Sequence, residues 1–539
     1  MQPKRPNILW VSFEDTNPFY GCYDDPVART PNLDRLAAEG IRYTHAFSTA
    51  GVSAPARSAI ITGMYPISIG THHMRSSHTN PATPELPTPY SAVVPHYVKC
   101  FTEYLRAGGY FCSNNQKTDY QFETPLTAWD ELGPQAHWRN RPDPEQPFFA
   151  VFNPVNTHES GQWDSKTPDV TFDPADVPLP PYFPDTEKVR LAIARMYTQI
   201  ERSDAFLGQL LQELEEDGVS ENTIVMHWSD HGPLPRGKRW PYDSGIHVPL
   251  IVRGAPGTEQ GAVSERLVST MDLGPTVLSL CDIPVPAHMQ GQAFLGRQEA
   301  APRKYTFASR DRYDEAYDKV RAARSQRFKY IRHDHPELPY MIWNPYYNRH
   351  PIAQELWRLY LEDKLEGPQR LLFEPRPVEE LYDTENDPFE IDNLAGDPAL
   401  QTILEEMRSA TSKWTAEVGD LGLIDEAEMV RRWYPDGKQP HTAEPRVIVY
   451  DRTGGGLEPV RGGTFEAPAA IHLHCPTQGA SIAWTLDAGS EARWQLYGQP
   501  IRLAPGEYQL RTRAIRIGFK ESNEATCLLT VLAKSSPEA

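Results

Sequence analysis

The stretch NILWVSFED, residues 7–15, places an apolar, strand-like run directly before two carboxylates, Glu14 and Asp15. Short runs rich in branched and aromatic side chains are typical of buried strands. Three later stretches repeat this arrangement: GYFCS before Lys117, PFFAVFN before His158, and NTIVMHWS before Asp230 and His231. Since ligands of open α/β sheets bind beyond the carboxyl ends of the strands, we expect these four loops to converge on one site.

Strand-like runs alternate with amphipathic segments from residue 6 to about residue 300, which is the pattern of an α/β domain. TPNLDRLAAEG (30–40) and IERSDAFLGQLLQELEEDG (200–218) are predicted helices, each ending at a glycine. The predicted fold class is therefore α/β, with a large, mainly parallel sheet flanked by helices.

Two smaller units follow the α/β domain. Short strands such as RAARSQRFKYIRH and a helix near 399–416 predict an α+β subdomain. The Pro-rich stretch YPDGKQPHTAEP then precedes alternating strands and turns that are typical of a β-sandwich. We divide the chain into a catalytic domain over 1–320, an α+β subdomain over 321–440 and a β-sandwich module over 441–539.

Composition limits the partners of the chain. The formal net charge of −19 over 539 residues argues against nucleic acid or an anionic membrane surface as a general partner. No apolar run reaches the length of a membrane span. The start MQPKRPNILWVSF does not resemble a secretory signal, but a removed leader would leave the same start, so we expect a periplasmic or secreted protein and leave a cytoplasmic one open.

Six cysteines are too few for a disulfide scaffold in a chain of this length. Cys475 and Cys527 both lie in the predicted module, and the sequence leaves open whether they pair.

The pentapeptide SAPAR, residues 53–57, stands before an apolar run that is predicted to be helical. Ser53 is either a helix N-cap or a nucleophile aimed at an anion, because helix N-termini offer unpaired N–H groups. The pentapeptide by itself does not choose between the two.

Four strand-end residues form a candidate metal site: Glu14, Asp15, Asp230 and His231. Oxygen-dominated ligand sets favour Ca²⁺ or Mg²⁺ over zinc, although unrelated turn acids would give the same residues. Arg57, Lys117 and Lys238 add positive charge suited to a tetrahedral oxyanion such as sulfate or phosphate. His158 is a candidate acid for a leaving group, since imidazole titrates near neutral pH.

Four ordered blocks resemble the formylglycine-dependent sulfatases of the alkaline phosphatase superfamily. SAPAR is similar to their C/S-x-P-x-R signature, and TPNLDRLAAEGIRYTHAFST to their N-terminal block. SDHGPLPRGKRWPYDSGIHVPLIV resembles their second block, and ELYDTENDPFEIDNLA their C-terminal subdomain. The resemblance covers about residues 6 to 420 and implies an alkaline phosphatase-like fold.

The resemblance assigns roles to the candidate residues. It implies that a maturase oxidises residue 53 to formylglycine, whose hydrate attacks sulfur beside one Ca²⁺ ion held by Glu14, Asp15, Asp230 and His231 with Ser53. It implies that Arg57 holds the modified residue, that Lys117 and Lys238 bind the sulfate, and that His158 protonates the leaving oxygen. Many relatives have K-x-H where this chain has Lys117, Thr118 and Asp119.

The expected substrate is a sulfated oligosaccharide or polysaccharide, carrying a sulfate ester or an N-sulfate. TGMYPISIGTHHMR with NNQKTDY is most similar to polysaccharide sulfatases, including the heparan N-sulfatase-like group, and the last module resembles the C-terminal domain of chitobiase-type hexosaminidases. Three residues are candidate substrate contacts: His73, Arg75 and Arg312.

Two alternatives stay open on sequence. One is a phosphodiesterase or phosphonate monoester hydrolase of the same superfamily, and the other is a non-catalytic protein that binds sulfated glycans through an unmodified Ser53. The oligomeric state is not predicted.

Overall fold

A nine-stranded mixed sheet forms the centre of the N-terminal domain in the computed structural model, which describes residues 5–452 and 454–533. Its strands are β1 (Asn7–Phe13), β2 (Ile41–Phe47), β3 (Phe111–Asn115), β4 (Glu131–Leu132), β5 (Phe148–Phe152), β6 (Thr223–Ser229), β7 (His247–Arg253), β8 (Ala262–Ser264) and β9 (Val268–Ser269). Their order is β4-β3-β5-β1-β6-β7-β2-β8, with β9 paired to β2.

The predicted α/β sheet is confirmed, with one antiparallel strand inside it. The strands from β4 to β6 run parallel, whereas β7 is antiparallel to both of its neighbours, β6 and β2. All four strands named from sequence are therefore adjacent, so that their carboxyl ends share one edge of the sheet. This edge carries the candidate site.

Helices cover both faces of this sheet. They are α1 (Pro31–Glu39), α2 (Ser53–Thr62), α3 (Pro66–Ile69), α4 (Phe101–Ala107), α5 (Glu187–Glu216), α6 (Asp243–Ile246) and α7 (Leu273–Leu280). Because alternate side chains of a strand point to opposite faces, Leu9 and Val11 of β1 join the core under α5, and Ile8 and Trp10 join the core under α4 and α7. A strand covered on both faces needs a continuous apolar run, which explains the composition of β1.

The α+β subdomain contains an antiparallel sheet of β10 (Thr306–Arg310), β11 (Val320–Arg324), β12 (Phe328–His333) and β13 (Glu379–Asp383). Its helices are α8 (Pro351–Leu361), α9 (Gln401–Val418) and α10 (Glu426–Trp433). The boundary predicted at residue 320 falls inside this sheet, because β10 pairs with β11 along its whole length. We propose to place that boundary before β10.

Two further sheets form the C-terminal module. Its strands are β14 (Arg446–Asp451), β15 (Gly454–Gly455), β16 (Gly462–Glu466), β17 (Ala469–His474), β18 (Ser481–Thr485), β19 (Gln495–Leu496), β20 (Ile501–Leu503), β21 (Gly506–Ile515) and β22 (Ala525–Leu532). The sheet orders are β15-β14-β17-β20 and β16-β22-β21-β18-β19, and apolar side chains of both sheets share one core. This is the packing of a β-sandwich.

A disulfide between Cys475 and Cys527 is not formed, since both thiols are free. Cys475 Sγ contacts the carbonyl of Ala443, and Cys527 Sγ faces the carbonyl of Val460, so the two sulfur atoms point to different neighbours. Among the described helices, none combines the length and apolar character needed to cross a bilayer.

Candidate active site

Loops after β1, β3, β5 and β6 meet at one edge of the large sheet, as the sequence indicated. Lys117 Nζ lies 2.5 Å from Glu14 Oε1, which joins the β3 loop to the β1 loop. The backbone N–H of Glu159 donates to Asp15 Oδ2 at 2.7 Å, and that of Asp15 donates to Asp230 Oδ1 at 3.1 Å. These contacts bring the strand-end residues into a single buried cluster.

Ser53 is the first residue of α2 but does not cap it. The N-cap position belongs to Val52, without a side-chain hydrogen bond, so the N-cap interpretation of Ser53 is wrong. Its hydroxyl instead lies 3.0 Å from His231 Nε2, and the residue is 2% exposed. The side chain of residue 53 is therefore directed at the loop after β6.

His231 directs its Nε2 atom into this cluster. Its Nδ1 lies 2.9 Å from the carbonyl oxygen of Gly232, and a carbonyl only accepts, so Nδ1 carries the proton. Its Nε2 atom lies 3.0 Å from Ser53 Oγ and 3.2 Å from Asp15 Oδ1. The ring is held in the tautomer that a metal ligand needs.

Asp15, Asp230 and His231 form a buried group whose candidate ligand atoms all lie within 4.8 Å of one another. Asp15 Oδ1 accepts no hydrogen bond from the part of the chain that the structure describes, although the residue is fully buried. A buried carboxylate oxygen without a hydrogen-bond donor is unfavourable unless a cation contacts it. The donor set therefore fits a divalent metal ion, and its two carboxylates favour a hard ion such as Ca²⁺.

Glu14 lies beside this group rather than in it, because its carboxylate is bound to cations. Its Oε1 atom lies 2.5 Å from Lys117 Nζ and 3.5 Å from Arg57 Nη2. Its role as a third acidic ligand stays a prediction.

Arg57, one turn after Ser53 in α2, binds acidic residues of the strand-end loops. Its Nε donates to Asp230 Oδ2 at 2.9 Å, and its Nη1 donates to Asn153 Oδ1 at 3.1 Å. Asn153 in turn donates to Asn114 and accepts from Ser12. Asn153 was not predicted from the sequence. It is the first polar residue after β5, so its position at a strand end could have identified it, as it did the predicted site residues.

The two lysines are charged, Lys238 in a buried position and Lys117 in a partly buried one. Burial alone would lower the pKa of Lys238, but Asp15 at 2.5 Å and Glu159 at 3.1 Å raise it above its ordinary value. Burial would likewise lower the pKa of Lys117, and Glu14 with Asp119 raises it. Both ammonium groups are thus available to bind an anion at neutral pH.

The carboxylates of the site are held ionised. Burial would raise the pKa of Asp15, but Lys238 and His231 hold it below its usual value. Burial would also raise the pKa of Asp230, and His231 and Arg57 lower it well below its usual range. Ionised carboxylates are the form that binds metal ions.

Glu159 and Arg239 form a second buried layer that sequence reasoning missed. Arg239 donates through both terminal nitrogens to the Glu159 carboxylate, at 3.2 and 2.9 Å. Glu159 also contacts Lys238 and so fixes the direction of that lysine. Glu159 follows His158 directly, and Arg239 follows Lys238. Their position next to predicted site residues is the sequence feature that could have identified them.

His158 lies at the entrance of the cluster. Its Nδ1 is 3.0 Å from Ser160 Oγ, which leaves Nε2 for other contacts. Burial lowers its pKa below the ordinary histidine value, against the opposing effect of Asp15. Its ring centroid is 6.4 Å from that of Tyr346, an aromatic residue of the α+β subdomain that sequence reasoning did not select.

The predicted substrate contacts lie in different environments in the structure. Arg75 is half-buried, 3.3 Å from Asp314 and 5.7 Å from the centre of the Tyr346 ring, which places it at the same entrance. His73 is 6% exposed, and its Nδ1 accepts from the backbone N–H of Arg312 at 3.2 Å. Substrate contact by Arg75 and His73 stays a prediction.

Arg312, the third predicted substrate contact, is engaged in an ion pair inside the protein, and its contact with substrate stays a prediction. The residue is fully buried, and its guanidinium donates to both carboxylate oxygens of Glu426, at 2.6 and 2.7 Å. Another nitrogen donates to the carbonyls of Met74 and Asp314. Its partner Glu426 lies 114 positions further along the chain, so this ion pair cannot be predicted from a local sequence pattern.

Asp119 stands where many sulfatases have histidine. Its carboxylate is 3.4 Å from Lys117 Nζ, and Lys117 with Arg75 holds its pKa below the ordinary value although burial would raise it. This position thus offers an ionised carboxylate in place of an imidazole.

Comparison with known proteins agrees with the geometry. Residues 6–283 match the sulfatase family, and residues 231–365 match the C-terminal part of N-sulphoglucosamine sulphohydrolase. The chain is 40% identical to an ulvan-active sulfatase of Formosa agariphila over 96% of this chain and 91% of that one. It is 29% identical to N-sulphoglucosamine sulphohydrolase of Homo sapiens, over 77% and 90% of the two chains. A solved 2-O GAG sulfatase shares the fold, with a TM-score of 0.56 and 20% identity over 77% of this chain and 93% of that one.

Proposed function

We propose, from the premise that this chain belongs to the sulfatase family of sulfuric ester hydrolases, that it removes sulfate from a carbohydrate through residue 53. One observation carries the proposal: the Ser53 hydroxyl lies 3.0 Å from His231 Nε2, within the buried group that also contains Asp15 and Asp230. A hydroxyl in that position is suited to attack an anion that the surrounding cations bind.

Two groups would complete the site. Asp15, Asp230 and His231, with Glu14 and the side chain of residue 53, would hold one Ca²⁺ ion, which supplies Lewis acidity toward oxygen. Oxidation of Ser53 by a maturase would supply the formylglycine hydrate that family members use as nucleophile.

Other residues of the site position the nucleophile and bind the sulfate. Arg57 holds Asp230 through Nε and fixes the first turn of α2, so residue 53 keeps its direction. Lys117 and Lys238 bind the sulfate oxygens and stabilise the negative charge that grows on them in the transition state. Each lysine is aimed by a carboxylate, Glu14 in one case and Glu159 in the other.

His158 supplies the proton that the leaving oxygen needs. Its Nδ1 is oriented by Ser160, so that Nε2 is the atom that carries and donates the proton. An alkoxide is a poor leaving group, and a donor at this place lowers the barrier to its departure.

The proposed substrate is a sulfated oligosaccharide or polysaccharide, bearing a sulfate ester or an N-sulfate. The relatives named for ulvan and N-sulphoglucosamine support this class. The half-buried Arg75 at the site entrance supports an anionic substrate in a molecule of net charge −19. A polysaccharide substrate would lie outside the cytoplasm. We therefore propose a periplasmic or secreted location, which cell fractionation tests.

Peptide mass decides whether the chain is catalytic. The protein is produced with a serine-type and, separately, with a cysteine-type maturase, and the tryptic peptide that contains Ser53 is weighed. A formylglycine mass in a preparation that cleaves 4-nitrocatechol sulfate supports the proposal. Unmodified serine with both maturases, together with binding of sulfated glycan, supports the binding alternative instead.

Paired ester assays address the remaining alternative. Matched sulfate, phosphate diester and phosphonate monoester substrates are compared on the mature protein, and we expect the sulfate ester to have the highest kcat/KM. Metal analysis should find one calcium per chain. Preference for a phosphorus ester, or stoichiometric zinc, would contradict the proposal.

A further inference from the structure

Tyr346, from the α+β subdomain, lies beside the proposed general acid at the entrance of the site. Its ring centroid is 6.4 Å from that of His158 and 5.4 Å from that of Trp163, both in the loop after β5. The Arg75 guanidinium lies 5.7 Å from the centre of the same ring. A group that His158 protonates must lie within hydrogen-bond reach of its ring, and therefore close to Tyr346.

The buried cluster meets solvent on this side of the site. Ser53 and Asp15 are at most 2% exposed. In contrast, His158, Arg75 and Tyr346 are each partly exposed. Tyr346 is therefore one of the side chains that a substrate meets between solvent and the residues that carry out the reaction.

The Tyr346 hydroxyl is accessible and has no partner in the protein. It is not enclosed, and it forms no hydrogen bond with any described residue. The next residue differs, because Tyr347 is buried and its hydroxyl lies 3.7 Å from Met341 Sδ. The hydroxyl of Tyr340, also nearby in the chain, donates to Glu380. The Tyr346 phenol can therefore donate to a ligand without losing a contact in the protein.

The phenol lies close to charged residues of the site. Burial raises the pKa of Tyr346 to about 12, and the carboxylates of Glu159 and Asp15 also raise it, against the opposing effect of the Arg75 and Arg239 guanidinium groups. Since Coulomb interactions weaken with distance, the hydroxyl lies near the catalytic carboxylates. It stays protonated at neutral pH and so acts as a hydrogen-bond donor.

The loop that carries Tyr346 is held in place on both sides of this residue. On one side, Asn344 donates to Asp314 Oδ2 at 2.8 Å. On the other side, His350 Nε2 donates to Gln162 Oε1 at 2.9 Å, in the loop that carries His158. A donor that is already positioned loses little conformational entropy when a ligand binds.

We propose that Tyr346 is a specificity-determining residue whose hydroxyl donates a hydrogen bond to the sugar unit that carries the sulfate. The inference rests on the proposed function, because it takes the leaving group beside His158 to be part of a sugar. The acceptor is a hydroxyl or ring oxygen of that sugar. The enzyme therefore favours a sugar sulfate over an aryl sulfate that lacks such an acceptor, by the value of this one bond.

Two adjacent tyrosines provide a matched pair of variants. Tyr346→Phe removes the accessible hydroxyl and keeps the ring, and Tyr347→Phe removes the buried hydroxyl of the neighbouring residue. Both are made in the mature full-length enzyme, and thermal unfolding verifies that they are folded. The substrates are a sulfated monosaccharide, prepared from a sulfated polysaccharide that the wild type desulfates, and 4-nitrophenyl sulfate, whose ring carries no hydroxyl.

The ratio of the two kcat/KM values is the measured quantity. We expect Tyr346→Phe to lower kcat/KM on the sugar sulfate by roughly 3- to 10-fold, the value of one neutral hydrogen bond, with little change on 4-nitrophenyl sulfate. Tyr347→Phe should change neither value. A general disturbance of the fold would lower both values together and leave their ratio unchanged.

The failures are distinguishable. Wild-type enzyme that cleaves no sulfate ester contradicts the proposed function. Wild-type enzyme that cleaves both substrates, with the same ratio in Tyr346→Phe, overturns the role of Tyr346 alone. A loss of about 100-fold or more on the sugar sulfate also overturns it, because an effect of that size is typical of a proton donor rather than a binding group. An equal change of the ratio in Tyr347→Phe overturns it as well.

Discussion

Lys117 and Lys238 give the most direct prediction at the scale of single residues. Lys117→Ala and Lys238→Ala should each cost about 2 to 4 kcal/mol of transition-state stabilisation, because each removes a donor to the developing oxyanion. Steady-state kcat/KM on 4-nitrocatechol sulfate measures the loss. Lys304→Ala, at a side chain that is 68% exposed, is the control.

Near-normal turnover in either variant would remove that lysine from the sulfate site. Lys238→Arg is informative as a companion, since it keeps the charge but changes the shape of the group that Asp15 and Glu159 hold.

His158 gives a prediction that depends on the leaving group. Replacement by Asn should lower hydrolysis of a sugar sulfate by about 10² to 10⁴-fold, since an alkoxide must be protonated to leave. Nitrocatechol sulfate should be affected less, because its phenol departs without a proton. The ratio of the two kcat/KM values, before and after substitution, measures the effect.

An equal loss on both substrates would make His158 a binding residue. His73, which is predicted as a substrate contact, is disfavoured as a replacement acid because its Nδ1 accepts from the backbone N–H of Arg312 and the residue is 6% exposed.

Helix α10 is joined to the segment between β10 and β11 by a buried ion pair. Arg312 and Glu426 have fully buried side chains, so removing one partner leaves an unpaired charge inside the protein. Arg312→Met should therefore lower the free energy of unfolding by about 3 to 5 kcal/mol. Urea unfolding measures it, and restoration by the double variant Arg312→Met/Glu426→Leu would separate the lost charge pair from lost packing.

This pair also makes stability depend on pH. Burial would raise the pKa of Glu426, but His73 and Arg312 hold it at about 2, below the unfolded value. A depressed carboxyl pKa contributes stability that is complete above the unfolded pKa and is lost as pH falls through the folded pKa. Wild type should lose stability toward pH 2 more steeply than Glu426→Gln.

The loop between β6 and β7 carries His231 and Lys238, and its path depends on a close backbone approach at Gly245. A Cβ atom there would collide with the carbonyl oxygens of Gly237 and Trp240. Gly245→Ala should therefore displace Lys238 and abolish most activity while far-UV circular dichroism is retained. Gly396→Ala, where a Cβ meets nothing within 4 Å, should behave as wild type.

An active, normally stable Gly245→Ala enzyme would show that this approach is not needed to position the loop.

At the scale of the whole molecule, the features that could be predicted from the sequence are those set by local pattern, namely the strands and the polar residues at their carboxyl ends. Parallel strands share an edge at their carboxyl ends, so polar residues after β1, β3, β5 and β6 had to meet. Contacts from distant segments left no such signal: Tyr346 approaches His158 from another domain, and Glu426 pairs with Arg312 across 114 positions. These depend on tertiary packing, which periodicity does not encode.

The C-terminal module is packed against the catalytic domain. Ile517 of the module is 4% exposed in the core beneath α4, and Lys99 Nζ donates to Ser481 Oγ at 2.7 Å. Arg106 of α4 donates to the carbonyl of Trp494 at 2.7 Å. The module therefore covers apolar surface of the domain that holds the site.

Removing residues 441–539 should lower the Tm of the remaining chain by a few degrees, because the core that Ile517 covers becomes exposed to water. Calorimetry of the shortened and full-length proteins measures the difference. Ile517→Ser in the full chain is the milder companion, and it should give a smaller decrease in the same direction. Identical Tm values for all three proteins would mean that the module contributes nothing to the stability of the catalytic domain, whatever it contributes to substrate binding.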